Sequence, residues 1–147
     1  MPNVKRGFTL IEVLLSMALI AILTGVALPA YFTLFSKNDL DVAKNQAAQS
    51  LGRAAFLSLA SEGDTTWGVE ISAENIVIFK GASYASRDED YDETYPIASS
   101  ITPSGLTEIV FDKMTGLPQS AGDIILTSTN GDIKTITINS KGAVSYQ

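Results

Sequence analysis

Glu12 is a carboxylate set inside an apolar run, with Lys5, Arg6, Gly7 and Phe8 just ahead of it. That small group is where the sequence offers chemistry. The side chains usual in catalysis are missing, because the 147 residues include no His and no Cys. Disulfides, thiolate or imidazole zinc sites, Ser-His-Asp and Cys-His triads, and haem ligated by either residue are thereby excluded. Sixteen Asp/Glu remain, five of them between Asp88 and Glu93. Paired carboxylates can hydrolyse glycosides, but no pair here is placed by recognisable structure. The same oxygens could take calcium, yet their spacing matches no EF-hand and the turn glycine is absent; a solvated, mobile loop is the simpler reading. The chain reads as a non-enzyme, with no catalytic residue, no metal site and no cofactor assigned.

Glu12 must be judged against the element that carries it. From Phe8 to Phe35 it is the one formal charge, and Val13 to Ala30 has none over eighteen residues. As a helix that stretch covers roughly 27 Å, close to the hydrocarbon thickness of a bilayer of about 30 Å. Lys5 and Arg6 before it, with the acidic bulk after it, orient the N-terminus toward the cytoplasm. A signal anchor, a cleavable secretory peptide and a buried core helix are the plain alternatives. An apolar surface on every side fits lipid better than a core helix, and Glu12 does not fit a plain anchor or secretory peptide, since an intramembrane carboxylate costs a few kcal/mol unless paired or protonated. No Lys, Arg or His lies between it and Lys37. Cutting the chain between Gly7 and Phe8 would create a partner. The freed α-amine would lie four residues earlier on the same helical face, about 6 Å away along the axis, and could pair with Glu12 of its own chain or of a neighbour.

Lys5-Arg6-Gly7-Phe8-Thr9-Leu10-Ile11-Glu12-Val13 resembles the class III signal of type IV pilins and type II secretion pseudopilins. The resemblance implies a membrane prepilin peptidase that cuts after Gly7 and methylates Phe8, a leader charge at Lys5 and Arg6, and pairing of Glu12 with a neighbouring subunit's amine. It also matches Pro29 to the family's helix-bending proline. A proline inside a helix removes a donor and clashes with the preceding turn, and Gly25 weakens the same turn. Alternatively, Pro29 ends a membrane helix at the water interface, with Tyr31 and Phe32 as its aromatic belt.

Beyond Asn38, apolar Leu40, Ala43, Ala47, Leu51, Ala54 and Leu57 recur at intervals of three and four, a one-sided helix stopped by Ser61-Glu62-Gly63-Asp64. One long helix is expected from Phe8 to about Ser61, interrupted or bent near Pro29. The remainder is β-rich. Six strands are expected at Thr66–Ile71, Glu74–Lys80, Thr107–Asp112, Asp123–Thr129, Ile133–Asn139 and Ala143–Tyr146, with a type I′ turn at Asn130-Gly131 and another turn at Lys141-Gly142. The fold class is α+β: a long N-terminal helix packed on a C-terminal antiparallel sheet or small sandwich. The expected segments are a leader at 1–7, a hydrophobic transmembrane and assembly helix at 8–35, an amphipathic continuation at 36–62 and a β-rich domain at 63–147.

The order of one helix followed only by strands, with Phe111-Asp112-Lys113-Met114-Thr115-Gly116-Leu117-Pro118 ahead of three C-terminal strands, is similar to the GspH/FimT group of minor pseudopilins. The resemblance implies a structural subunit of a pilus or pseudopilus. The implied partners are other pilin subunits, the prepilin peptidase, an inner-membrane assembly platform and lipid. It places a single-pass chain in the cytoplasmic membrane with its C-terminal domain outside, and then in a fibre. A tip-located minor pilin that captures a ligand or DNA is the alternative. Residues 36–147 carry eight Lys/Arg against fifteen Asp/Glu, which opposes nucleic acid.

Overall fold

The computed structural model describes residues 7–146; the side chains of residues 26–36 fall outside that description. The chain divides into two compact units, residues 1–35 and residues 36–147. Helix α1 (Leu10–Leu59) is assigned without a break through Gly25 and Pro29, so the expected interruption at Pro29 is absent from the backbone assignment. Lys5 and Arg6 lie outside the described residues, as does the side chain of Pro29.

In the first unit, side chains from Phe8 to Leu23 are exposed on every side of α1, with Phe8 at 83% and Leu10 at 79%. Among the described residues no helix is long and apolar enough to cross a membrane. The expected span of 8–35 runs on into positions whose side chains are not described.

The second unit contains the rest of α1 and eight strands: β1 (Trp67–Ile71), β2 (Asn75–Lys80), β3 (Asp88–Pro96), β4 (Ile101–Gly105), β5 (Glu108–Phe111), β6 (Gly122–Ser128), β7 (Ile133–Ile138) and β8 (Val144–Tyr146). They form two four-stranded antiparallel sheets, ordered β3-β2-β1-β5 and β4-β6-β7-β8. This is the expected α+β, pilin-like arrangement, with two strands more than the sequence suggests. Period-2 alternation makes the core. Val69 and Ile71, Ile76 and Ile78, Ile109 and Phe111, Ile124 and Leu126, and Ile136 and Ile138 all point into one cluster with Leu40, Ala43, Ala47, Leu51 and Ala54 of α1. Leu57, expected on that helical stripe, is half-buried, and Ser58 is buried in its place.

The two added strands have a physical reason. Asp88–Glu93, read from sequence as a loop, lies in β3 at the edge of its sheet, where charged side chains are tolerated because only one side is paired. β4 contains Pro103 and ends on Gly105, residues depleted in strands, and it too is an edge.

The turn at Asn130-Gly131 differs from expectation, while a turn is present at Lys141-Gly142 as expected. Type I′ needs positive φ at both central residues, whereas of Asn130 and Gly131 only Gly131 (φ 86°) has it. The Ser128 N–H donates to the Asp132 carbonyl at 2.8 Å and the Gly131 N–H to the Ser128 carbonyl at 2.9 Å. The result is a three-residue loop closed by a glycine bulge. The next hairpin repeats it with Gly142 (φ 77°), and there the Asn139 side-chain oxygen accepts the N–H groups of Lys141 and Ala143.

Candidate functional site

Gly7, Phe8 and Thr9 have no regular secondary structure and are exposed; α1 begins at Leu10. The reason is local. Thr9 caps the helix, its hydroxyl accepting the Glu12 N–H at 3.3 Å while its carbonyl accepts the N–H groups of Glu12 and Val13 at 3.1 and 3.2 Å. Thr9-Leu10-Ile11-Glu12 has the spacing of a capping box, a signal legible in the sequence itself. It fixes where the helix starts and leaves the Gly7–Phe8 bond in accessible, non-helical chain.

Glu12 sits in the first turn, exposed, where the partial positive charge of the helix N-terminus favours a carboxylate. Among the described residues no hydrogen bond or ion pair reaches its side chain. Phe8 and Glu12 stand one helical turn apart in sequence. Among the described residues, a side chain at Gly7 would meet nothing within 4 Å. The hydroxyls of Ser16 and Thr24 are satisfied within the helix. Ser16 donates to the Glu12 carbonyl at 2.7 Å, and Thr24 donates to the Ile20 carbonyl at 2.9 Å. This is how polar side chains are made tolerable in an apolar surrounding.

The acidic run provides no second site. Successive strand residues point to opposite faces, and nearby cations pair with four of the five acids. Arg53 grips Glu93 with two bonds of 2.6 and 2.5 Å, Arg87 holds Asp92 at 2.8 Å and Glu89 at 3.4 Å, and Lys80 lies 4.0 Å from Asp88. Among the described residues no three His, Cys, Asp or Glu side chains converge as a metal would need. The calcium reading of Asp88–Glu93 therefore loses the loop it was based on. Arg53 holds the Glu93 carboxyl below its ordinary range, with help from the Tyr95 hydroxyl. Partial burial, and then the Glu108 carboxylate directly opposite in the ladder, push Glu70 up. An open cleft of about 410 Å³ beside α1 is lined by Gln46, Gln49, Ser50, Arg53, Phe56, Ile78 and Tyr95, which include no nucleophile–base pair.

The family model described as the prokaryotic N-terminal methylation motif matches residues 2–28. The motif supports a type IV pilin-like protein. It takes in Gly7, Phe8 and Glu12 and ends one residue before Pro29. Proteins with this motif are structural, and it implies assembly of the pilin-like chain with other pilins and processing by a prepilin peptidase. No solved structure matches the chain.

Proposed function

We propose that this chain is a minor pilin or pseudopilin: inserted in the cytoplasmic membrane through residues 8–35, cut after Gly7, methylated at Phe8 and assembled through α1 into a pilus or pseudopilus. The carrying observation is the methylation motif over residues 2–28, on a chain whose Gly7–Phe8 bond is exposed just ahead of a capped helix. The apolar side chains around α1 need lipid first and other subunits later; that exchange is driven by packing and polar pairing, because lipid tails are as apolar as leucine. The new amine at Phe8 would supply the counter-charge for Glu12, on its own chain or the next. Lys5 and Arg6 would keep the leader cytoplasmic, and Pro29 would mark where the helix adapts on assembly.

Membership of the GspH/FimT group is supported by the single helix followed only by strands, by the Gly116-Leu117-Pro118 passage between β5 and β6, and by Gly142 before β8. The DNA-binding alternative has weaker support. Of the eight Lys/Arg in residues 36–147, five are engaged in ion pairs with acids.

Glu12→Ala tests the reading. The variant is expected to insert in the membrane and be cut as before, with incorporation into fibres reduced at least about tenfold, on the order of the 1.4 kcal/mol expected for a charge-assisted pair. Normal incorporation would contradict the assigned role.

A further inference from the structure

Most cations of the acidic domain are engaged: Lys44, Arg53, Lys80, Arg87 and Lys113 each pair with a carboxylate. Among the described residues Lys37, Lys134 and Lys141 make no ion pair. Two of these three meet in one place. Lys37 of α1 and Lys134 of β7 line an open cleft of about 280 Å³, together with Leu40, Asp41, Asp132 and Ile133. Asp41 is taken by Lys44 at 3.3 Å, whereas the Asp132 carboxylate pairs with neither lysine of the cleft. The loop before β7 holds Asp132 by its backbone: its N–H donates to the Ser128 hydroxyl at 3.2 Å and its carbonyl accepts the Ser128 N–H at 2.8 Å. The side chain is left over. Two ammonium groups and one carboxylate thus share a cleft without neutralising one another, which suits a ligand that bears both signs.

The place of Lys37 in the chain says where such a ligand comes from. It stands two residues beyond Phe35, the end of the apolar stretch that opens at Phe8. As a helix, residues 8–35 cover roughly 42 Å, and a bilayer with its headgroup layers is about 40–45 Å thick. With that stretch in the membrane, Lys37 emerges at headgroup depth. Beside it Ile133 is 59% exposed, an apolar surface next to the charged groups.

We propose that the cleft between α1 and the β6–β7 hairpin docks the headgroup of an ethanolamine phospholipid. Lys37 and Lys134 take the phosphate, Asp132 accepts from the primary ammonium, and Ile133 lies against the glycerol end. A choline headgroup has no N–H to give Asp132, and a glycerol headgroup would leave that carboxylate facing an anion with no counter-charge. The inference rests on insertion through residues 8–35 and adds to it a lipid site on the domain.

The test uses the full chain in an uncharged maltoside detergent, titrated with short-chain phosphatidylethanolamine, phosphatidylcholine, phosphatidylglycerol or inorganic phosphate while backbone amide NMR signals are followed. The ethanolamine lipid is expected to move the signals of Lys37, Asp132, Ile133 and Lys134 at concentrations at least about tenfold below those the other three require. Lys37→Gln and Lys134→Gln should each weaken that response at least about fivefold, and Lys141→Gln should leave it unchanged. Asp132→Asn should weaken the response to the ethanolamine lipid and not that to phosphatidylglycerol. Inorganic phosphate acting as strongly as the lipid overturns the headgroup in favour of a plain anion site. Equal responses to the ethanolamine and choline lipids, or a stronger one to phosphatidylglycerol, overturn the role of Asp132. Signals that stay fixed, from a chain that resists alkaline extraction from its native membrane, overturn the site and leave the membrane reading standing. A chain that alkali extracts overturns both.

Discussion

Ser58 is buried at the end of α1, where its hydroxyl accepts the Trp67 N–H at 2.9 Å and donates to the Phe111 carbonyl at 3.1 Å. One side chain thus joins the helix to β1 and β5. Ser58→Ala would leave a buried N–H unpaired and is expected to lower stability by about 1–3 kcal/mol, read from urea unfolding; a loss below about 0.5 kcal/mol would contradict the account. Two carboxylates pull the pH dependence in opposite directions. Glu93 is held down by Arg53, so its contribution is present above the ordinary glutamate range near 4.5 and fades as pH falls through its lowered value. Glu70 is pushed up, so its charge disfavours the fold above its raised value and is harmless below the ordinary one. Glu70→Gln should therefore stabilise the protein at pH 7 and lose that advantage below about pH 4, as thermal melts across pH would reveal. A stabilisation that persists unchanged at pH 3.5 would count against this. At this scale the sequence announces Glu12 and Gly7, because charge and spacing are visible in one dimension. Ser58 and the Arg53–Glu93 pair are not legible, since their partners stand nine to fifty-three residues away.

Among the elements, six strands follow from β-branched runs between turn residues, and the core stripe of α1 from its period. β3 escapes because burial, the signal that normally reveals a strand, is missing over most of an acidic edge, and β4 escapes because Pro103 and Gly105 argue against a strand. The turn type at Asn130-Gly131 depends on φ of one residue, which composition does not determine. Gly116 shows the same limit. Its φ is 63°, and a Cβ would come within 2.7 Å of the Ala55 carbonyl and 3.2 Å of Leu59, so glycine is what lets the β5–β6 connection seat on α1. Gly116→Ala is expected to cost on the order of 1–3 kcal/mol in chemical unfolding. An equally stable variant would show that the connection seats some other way.

For the molecule as a whole, the chain carries a compact domain with a satisfied core and an apolar helical segment exposed on all sides. The domain buries its own interior, whereas the described side chains of the segment are covered by nothing within the chain. The methylation motif over residues 2–28 implies processing by a prepilin peptidase and assembly with other pilins; on the proposed reading, a cut between Gly7 and Phe8 would give the Glu12 carboxylate its counter-charge. The methylation motif is legible in sequence because it is contiguous, whereas the two-sheet architecture depends on pairings that reach across the domain. Mass spectrometry of the N-terminal peptide of the protein isolated from its native membrane tests this most directly. The account predicts a peptide that begins at Phe8 and carries an N-methyl group; a mature chain that begins at any residue before Phe8 would contradict it.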